Sequence, residues 1–192
     1  MSTTLAYWYL KLQALALLVF GRQQTALRRF DEMLSLRPHD RYALASRAHL
    51  LAQLGDNQGA VAALQLLADG YPDNAAAWFN LAYMLEETGR HAEAEPAFRR
   101  ALDIEPKMDR AWYGLALLLI RDRRFDEAVQ ALKKNTELQP MSPFGWYQLA
   151  RVHVDRQDPD EAVKVIRHLK RFEPKVAAQL ERETGLSVAQ SS

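Results

Sequence analysis

The chain has 192 residues, 48% of them hydrophobic, which is enough for a substantial core and too apolar for a disordered polymer. Its 25 Lys and Arg against 24 Asp and Glu leave a formal charge of +1, so no overall field draws it to nucleic acid or to an anionic membrane. Cysteine is absent, which excludes disulfides, thiolate metal sites and cysteine nucleophiles.

The first predicted element is the almost wholly apolar run LAYWYLKLQALALLVF, Leu5 to Phe20. A secretory signal would carry a basic leader and a small-residue cleavage site, but no positive charge precedes Lys11, and Arg22 follows directly on Gly21. The run is interrupted by Lys11 and Gln13 and falls short of the roughly 20 apolar residues that span a bilayer. It is therefore read as a helix of the fold, with no integral membrane span. If Leu10, Ala14 and Leu17 form its packing seam, Leu5, Trp8, Tyr9, Leu12, Leu15 and Val19 surround the rest of it together with Ala16 and Phe20. A helix that is hydrophobic all round wants burial, and an exposed patch of this kind marks an interaction site. The expected cover is a second copy of the chain, giving a homodimer, or another protein. Lying on a membrane surface is the alternative, although the helix lacks the Lys/Arg-rich face of such anchors.

Beyond this helix the prolines set the organisation. Pro38, Pro72, Pro106, Pro140 and Pro174 are each 34 residues apart, and a fixed step of this size means a repeat architecture. Ala14, Ala48, Ala82, Ala116 and Ala150 keep the same step, as do Ala26, Ala60, Ala94, Ala128 and Ala162. Bulky columns run through Leu10, Leu44, Trp78, Trp112 and Trp146, and through Phe30, Leu64, Phe98, Leu132 and Ile166. Gly21, Gly55 and Gly89 hold a turn column in which Arg123 and Gln157 stand later. Each unit offers two apolar stripes of helical spacing that neither helix can cover alone, so neighbouring units must stack.

Windows 7–40, 41–74, 75–108, 109–142 and 143–176 are thus five helix pairs in one array covering residues 1–176, followed by a capping helix and tail over 177–192. Asp158, Pro159, Asp160 and Glu161 make a good helix start, with a capping side chain, proline in the first turn and acids at the positive end of the dipole. Pro96 falls in the first or second turn of its helix and removes one backbone hydrogen bond. Val176 to Thr184 reads as the short last helix, and the final GLSVAQSS as a frayed tail.

Trp78, Leu81, Ala82, Leu85, Ala94, Phe98, Ala101 and Pro106 resemble, position by position, the pattern of the tetratricopeptide repeat. Departures are local: Gln13 and Arg47 stand for the leucine, Arg123 and Gln157 for the glycine, and His153 takes a place usually apolar. The resemblance implies an all-α, right-handed superhelical solenoid of antiparallel helix pairs. It also implies that the back face of each first helix lines a concave surface holding a peptide or helix of a partner protein.

At about 100° per residue, Trp78, Leu81, Ala82 and Leu85 share one arc, and Phe79, Tyr83 and Glu86 fall opposite, with Asn80 at the margin. The same face carries Tyr42, Ala45 and His49 in the second unit. It continues with Arg110, Tyr113, Leu117, Ile120 and Arg121 in the fourth, and with Phe144, Tyr147, Gln148 and Arg151 in the fifth. Aromatic anchors flanked by Arg have the composition of interaction hot spots. The competing reading is that the rings pack sideways against the next first helix. The two-asparagine basic clamp used by relatives that grip the acidic tail of heat-shock chaperones keeps only Asn80 and Arg110, so that ligand is not expected.

His39, His49, His91, His153 and His168 include no pair at metal-ligand spacing, and no phosphate loop, nucleophile elbow or dinucleotide fingerprint occurs. Runs such as RDRRFDE read as solvated faces. The expectation is a cytoplasmic protein-interaction scaffold or adaptor without catalysis, cofactor or metal, recognising protein or peptide and no nucleic acid. A structural subunit or membrane-peripheral component, contacting its partners through the N-terminal helix, is the alternative.

Overall fold

The 34-residue step of the sequence returns as a 34-residue step of helices. The computed structural model describes residues 2–187, so that residues 188–192 of the expected tail lie outside the described residues. Among the described residues there are eleven helices and no strand. They are α1 (Thr3–Val19), α2 (Gln23–Leu36), α3 (Arg41–Gln53), α4 (Asn57–Gly70), α5 (Ala75–Glu87), α6 (His91–Ile104), α7 (Asp109–Arg121), α8 (Phe125–Leu138), α9 (Pro143–Asp155), α10 (Pro159–Lys170) and α11 (Pro174–Thr184). The starts of α3, α5, α7 and α9 differ by one repeat each, as do those of α2, α4, α6, α8 and α10. The chain is an all-α array of antiparallel helix pairs.

Local chemistry sets these boundaries. Asp40 and Asn74, each two residues after a column proline, cap α3 and α5 by accepting from the amides of Ala43 (2.8 Å) and Ala77 (3.3 Å). Asp158 caps α10 from the Glu161 amide, and Pro159 occupies the first turn. Pro96 sits in the second turn of α6, leaving the Ala92 carbonyl without its intrahelical donor. Between the helices of a pair the chain passes through a left-handed residue, with φ of +83° at Gly55 and +75° at Gly89. Arg123 and Gln157 adopt the same conformation, at +59° and +62°, although both carry a Cβ that opposes it.

The helices form two compact units, Met1–Ile104 and Glu105–Ser192. In the first, α1 to α6 pack serially, each on the next. Its core is built from the alanine columns, with Ala14, Ala26, Ala60 and Ala94 fully buried, interleaved with Phe30, Leu64 and Phe98. In the second, α7 packs on α8, α8 on α9 and α9 on α10, and α11 lies against both α9 and α10. Ala116, Ala150, Leu132 and Ile166 occupy the equivalent buried places there. Small residues at fixed intervals let backbones approach closely, and the bulky columns fill the space beside them.

A hydrogen bond repeats with the period. The indole Nε1 of Trp78, Trp112 and Trp146 donates to the carbonyl of the column proline six residues earlier: Pro72 (3.0 Å), Pro106 (2.8 Å) and Pro140 (2.9 Å). Each tryptophan therefore fastens the turn that precedes its own helix, a role leucine at positions 10 and 44 cannot take.

The second unit also has a buried polar exception. Asn135 stands in a column otherwise held by Met33, Leu67, Ala101 and Leu169, and its Nδ2 donates to the Asp109 carbonyl at 2.9 Å. Opposite it is Gly145, where the second, third and fourth repeats hold Ala43, Ala77 and Ala111. A Cβ at Gly145 would lie 2.1 Å from Asn135 Oδ1, so the larger polar residue is accommodated by the smaller neighbour. His153 is buried in a leucine column, its Nδ1 without a hydrogen-bond partner and 3.6 Å from Asp158. Burial holds its pKa below the ordinary histidine value, with Asp158 acting in the opposite direction.

Candidate functional site

In the first unit, the first-helix face assembles around a gap. Ala45 stands where the later repeats carry Phe79, Tyr113 and Tyr147, and Ala52 where they carry Glu86, Ile120 and Val154. Those truncated positions leave a recess of 230 Å³ lined by Ala45, Ala48, His49, Ala52, Leu64, Asn80, Tyr83 and Met84. Of the residues named from sequence, His49, Asn80 and Tyr83 come together here, and all three are exposed. Tyr83 keeps 49% of its surface accessible. The recess thus has an apolar floor of alanine, leucine and methionine and polar groups among its lining residues, a combination that takes an apolar side chain and orients the backbone attached to it.

Phe79 and Tyr42 are placed differently. Phe79 is half-buried, its ring 6.0 Å from that of Phe98 across the helix pair. Tyr42 is half-buried edge-on to Phe30 and lies under the Lys11 ammonium, 4.0 Å from the ring centre. Both rings turn to second helices, Phe79 to α6 and Tyr42 to α2, which differs from the next first helix of the sideways-packing reading.

In the second unit Arg110 and Arg121 are exposed, Arg121 beside Asp122, while Tyr113 and Leu117 are half-buried on α7. Phe144 is exposed at the start of α9, with Gln148 half-buried one turn on. Tyr147 and Arg151 are engaged within the unit. The Tyr147 hydroxyl donates to Glu183 of α11 at 2.5 Å, and Arg151 Nη1 lies 3.4 Å from the same carboxylate and 3.3 Å from the hydroxyl. Hydrogen bonding from Tyr147 and Gln179 pulls the Glu183 carboxyl below its usual value, and bonding to Tyr147 raises that of Arg151.

The N-terminal residues are at the surface: Leu5, Trp8, Tyr9, Leu12, Leu15 and Val19 are all exposed, Leu12 at 65% and Val19 at 82%. The side that α1 turns inward is Leu10, Ala14 and Leu17, extended by Tyr7, which sequence reasoning did not single out. Tyr7 is buried against Arg37, 4.3 Å from its ring, and burial together with Asp40 pushes its hydroxyl up to about 12. Beside α1 a second recess, of 670 Å³, is lined by Gln13, Ala16, Leu17, Phe20, Arg22, Thr25 and Arg29.

Among the described residues no three His, Cys, Asp or Glu side chains gather as metal ligands, and no helix is long and apolar enough to cross a membrane.

Family models for the tetratricopeptide repeat match residues 11–73 and 46–109, 85–143, and 143–168. No curated protein matches the chain. Among solved structures, the MamA protein superposes with a TM-score of 0.81 at 19% identity, covering 97% of this chain and 98% of that one. A tetratricopeptide repeat protein from Parabacteroides merdae gives 0.81 at 20% identity over 94% of this chain and 74% of its own. YrrB, described as a TPR protein with an unusual peptide-binding site, gives 0.76 at 16% identity over 88% of each chain. At these identities the likeness is one of fold.

Proposed function

The chain belongs to the tetratricopeptide repeat family, and from that premise we propose that it is a protein-interaction scaffold whose first-helix faces hold a peptide or helix of a partner protein. The principal anchor is the recess in the first unit, and it is the observation that carries the reading. At 230 Å³ it is smaller than the ~300–1,000 Å³ typical of small-molecule pockets, and it suits one bulky apolar side chain of a longer ligand. Asn80, exposed beside it, can donate to and accept from a ligand backbone, and Tyr83 and His49 offer ring surface and a polar tip. The peptide-binding site for which YrrB is described supports the same use of the fold. In the second unit, Arg110, Tyr113, Leu117, Arg121, Phe144 and Gln148 form a subsidiary face. Tyr147 and Arg151 contribute to it only if the ligand displaces Glu183.

On this reading the protein is a cytoplasmic adaptor with no catalytic step and no nucleic-acid ligand. Panning a random peptide library against the full chain tests it. Selected binders should share a bulky apolar residue and lose about tenfold in affinity, on the order of 1.4 kcal/mol, on Tyr83→Ala and on Asn80→Ala. A set of binders indifferent to both substitutions would exclude the recess.

A second reading is favoured by one observation of its own, the exposed apolar side of α1. It makes the N-terminal helix a second contact surface, and in its stronger form makes the protein a structural or membrane-peripheral subunit held mainly there. Removing the recess contacts and retaining every partner would favour the stronger form.

A further inference from the structure

The exposed side of α1 is a regular seam. Leu5, Trp8, Leu12, Leu15 and Val19 follow one another at steps of three, four, three and four, the a and d spacing of a coiled coil. Each is exposed, from 41% at Leu15 to 82% at Val19. The inward side has the same rhythm: Tyr7, Leu10, Ala14 and Leu17, the set that packs on the first unit. At 100° per residue the two seams lie about 150° apart, which is why α1 is apolar all round. One seam is satisfied by the fold, and the other is shaped for a helix.

Resting on the reading of α1 as a contact surface, we infer that the occupant of this seam is α1 of a second copy, packed antiparallel about a two-fold axis near Leu12. Three observations select that occupant. First, the only charge in α1 is Lys11, whose ammonium already sits over the rings of Trp8 (5.1 Å) and Tyr42 (4.0 Å). Within α1 the seam therefore offers a charged partner no counter-charge, Arg22 and Arg29 lying off it on the far side of Ala16 and Phe20, while an identical apolar seam matches it. Second, its five large apolar side chains are 41% to 82% exposed along the length of α1, and covering such a strip contributes to the ~800 Å² that each partner gives up in a standard interface. Third, pairing about Leu12 sets Trp8 against Ala16 of the other copy, bulk against small, and Leu5 against Val19, with Leu15 against Tyr9 at the margin of the seam. Antiparallel helices also oppose their dipoles favourably. The contact is isologous and closes at two copies.

Light scattering of the full chain at about 50 µM, within the micromolar range that interfaces of this size populate, should give twice the chain mass. Leu12→Glu, which places two carboxylates at the axis, should return it to one while leaving far-UV dichroism unchanged, because Leu12 is exposed in the single copy; the thermal midpoint should lose only its dependence on concentration. Register is read by cysteine substitution in a chain that has none. Leu12→Cys should cross-link to itself on mild oxidation, whereas Leu5→Cys should cross-link only when mixed with Val19→Cys. A single-copy mass for the unsubstituted chain, or a dimer indifferent to Leu12→Glu, overturns the inference. So does a single copy that sediments with phosphatidylcholine–phosphatidylglycerol vesicles and ceases to do so with Leu12→Glu. Self-cross-linking of Leu5→Cys overturns the antiparallel register. Peptide binding at the recess is read separately, so its failure and that of the dimer are distinguishable.

Discussion

The two units carry the same repeat and use its first-helix face differently. In the first, alanines at positions 45 and 52 open a recess beside His49, Asn80 and Tyr83. In the second, the aromatic column is filled, and Tyr147 and Arg151 are tied to Glu183 of α11. The helical frame is the same in both, and what distinguishes them is the side-chain volume set on a common column and whether a neighbouring helix supplies a carboxylate. A repeat scaffold can thus keep its stack constant and place a binding feature by truncating two residues.

The contrast can be broken most severely in the second unit. Gly145→Ala forces a Cβ to within 2.1 Å of Asn135 Oδ1 and 3.1 Å of Thr136 Cγ2, displacing the side chain that holds the Asp109 carbonyl. A loss of about 2–3 kcal/mol in urea unfolding is expected, largely recovered by adding Asn135→Ala. Serine or alanine tolerance at Gly145 with Asn135 intact would contradict this packing.

His153, being buried, gives the second unit an acid sensitivity. Its folded pKa is depressed by burial, so between that value and about 6.5 the unfolded chain binds more protons than the folded one. Stability contributed by the neutral ring is therefore present above the unfolded pKa and lost as pH falls below it. Asp158 and Glu161 temper the effect, and Arg156 and Lys133 reinforce it. The thermal midpoint should fall between pH 7.5 and 5.5, and His153→Leu, which restores the residue of the other repeats, should flatten that part of the profile.

Smaller still is the turn between α7 and α8. Arg123→Gly removes the opposition of a Cβ at φ +59° and adds unfolded-state entropy, for a net gain of about 0.5–1 kcal/mol. The same change beside α4 is already present as Gly55. Smallest is Glu183→Ala, which frees Tyr147 and Arg151 without exposing core. The midpoint should stay within about 1 °C, as for other surface pairs, while amide exchange in α11 quickens.

Much of this was legible in the sequence because a repeat states its columns several times over. The prolines, the alanine columns and the turn glycines locate the helices, and Asp158 and Pro159 locate the start of α10. Contacts made once were not legible. The Asn135–Gly145 accommodation joins two residues from different helices, and neither departs from its column in a way that names the other. The Trp78, Trp112 and Trp146 bonds to proline carbonyls do recur, and the constant six-residue offset between the columns was the available signal. On the candidate faces, helical rotation placed Tyr83, Asn80 and His49 on the outward side, but it could not distinguish them from Phe79 and Tyr42, which turn toward Phe98 and Phe30. The recess is an absence of side chain, and Ala45 and Ala52 reveal it only when compared with the aromatic and larger residues of their own columns.

The most direct test of the scaffold reading is to fill the recess from within the repeat's own vocabulary. Ala45→Phe installs the ring that stands at positions 79 and the tyrosines of 113 and 147, on an exposed site where folding tolerates it. Titration calorimetry with a library-selected peptide should then show at least a tenfold weaker Kd at an unchanged thermal midpoint. An unchanged Kd with the fold intact would mean that no ligand side chain enters there.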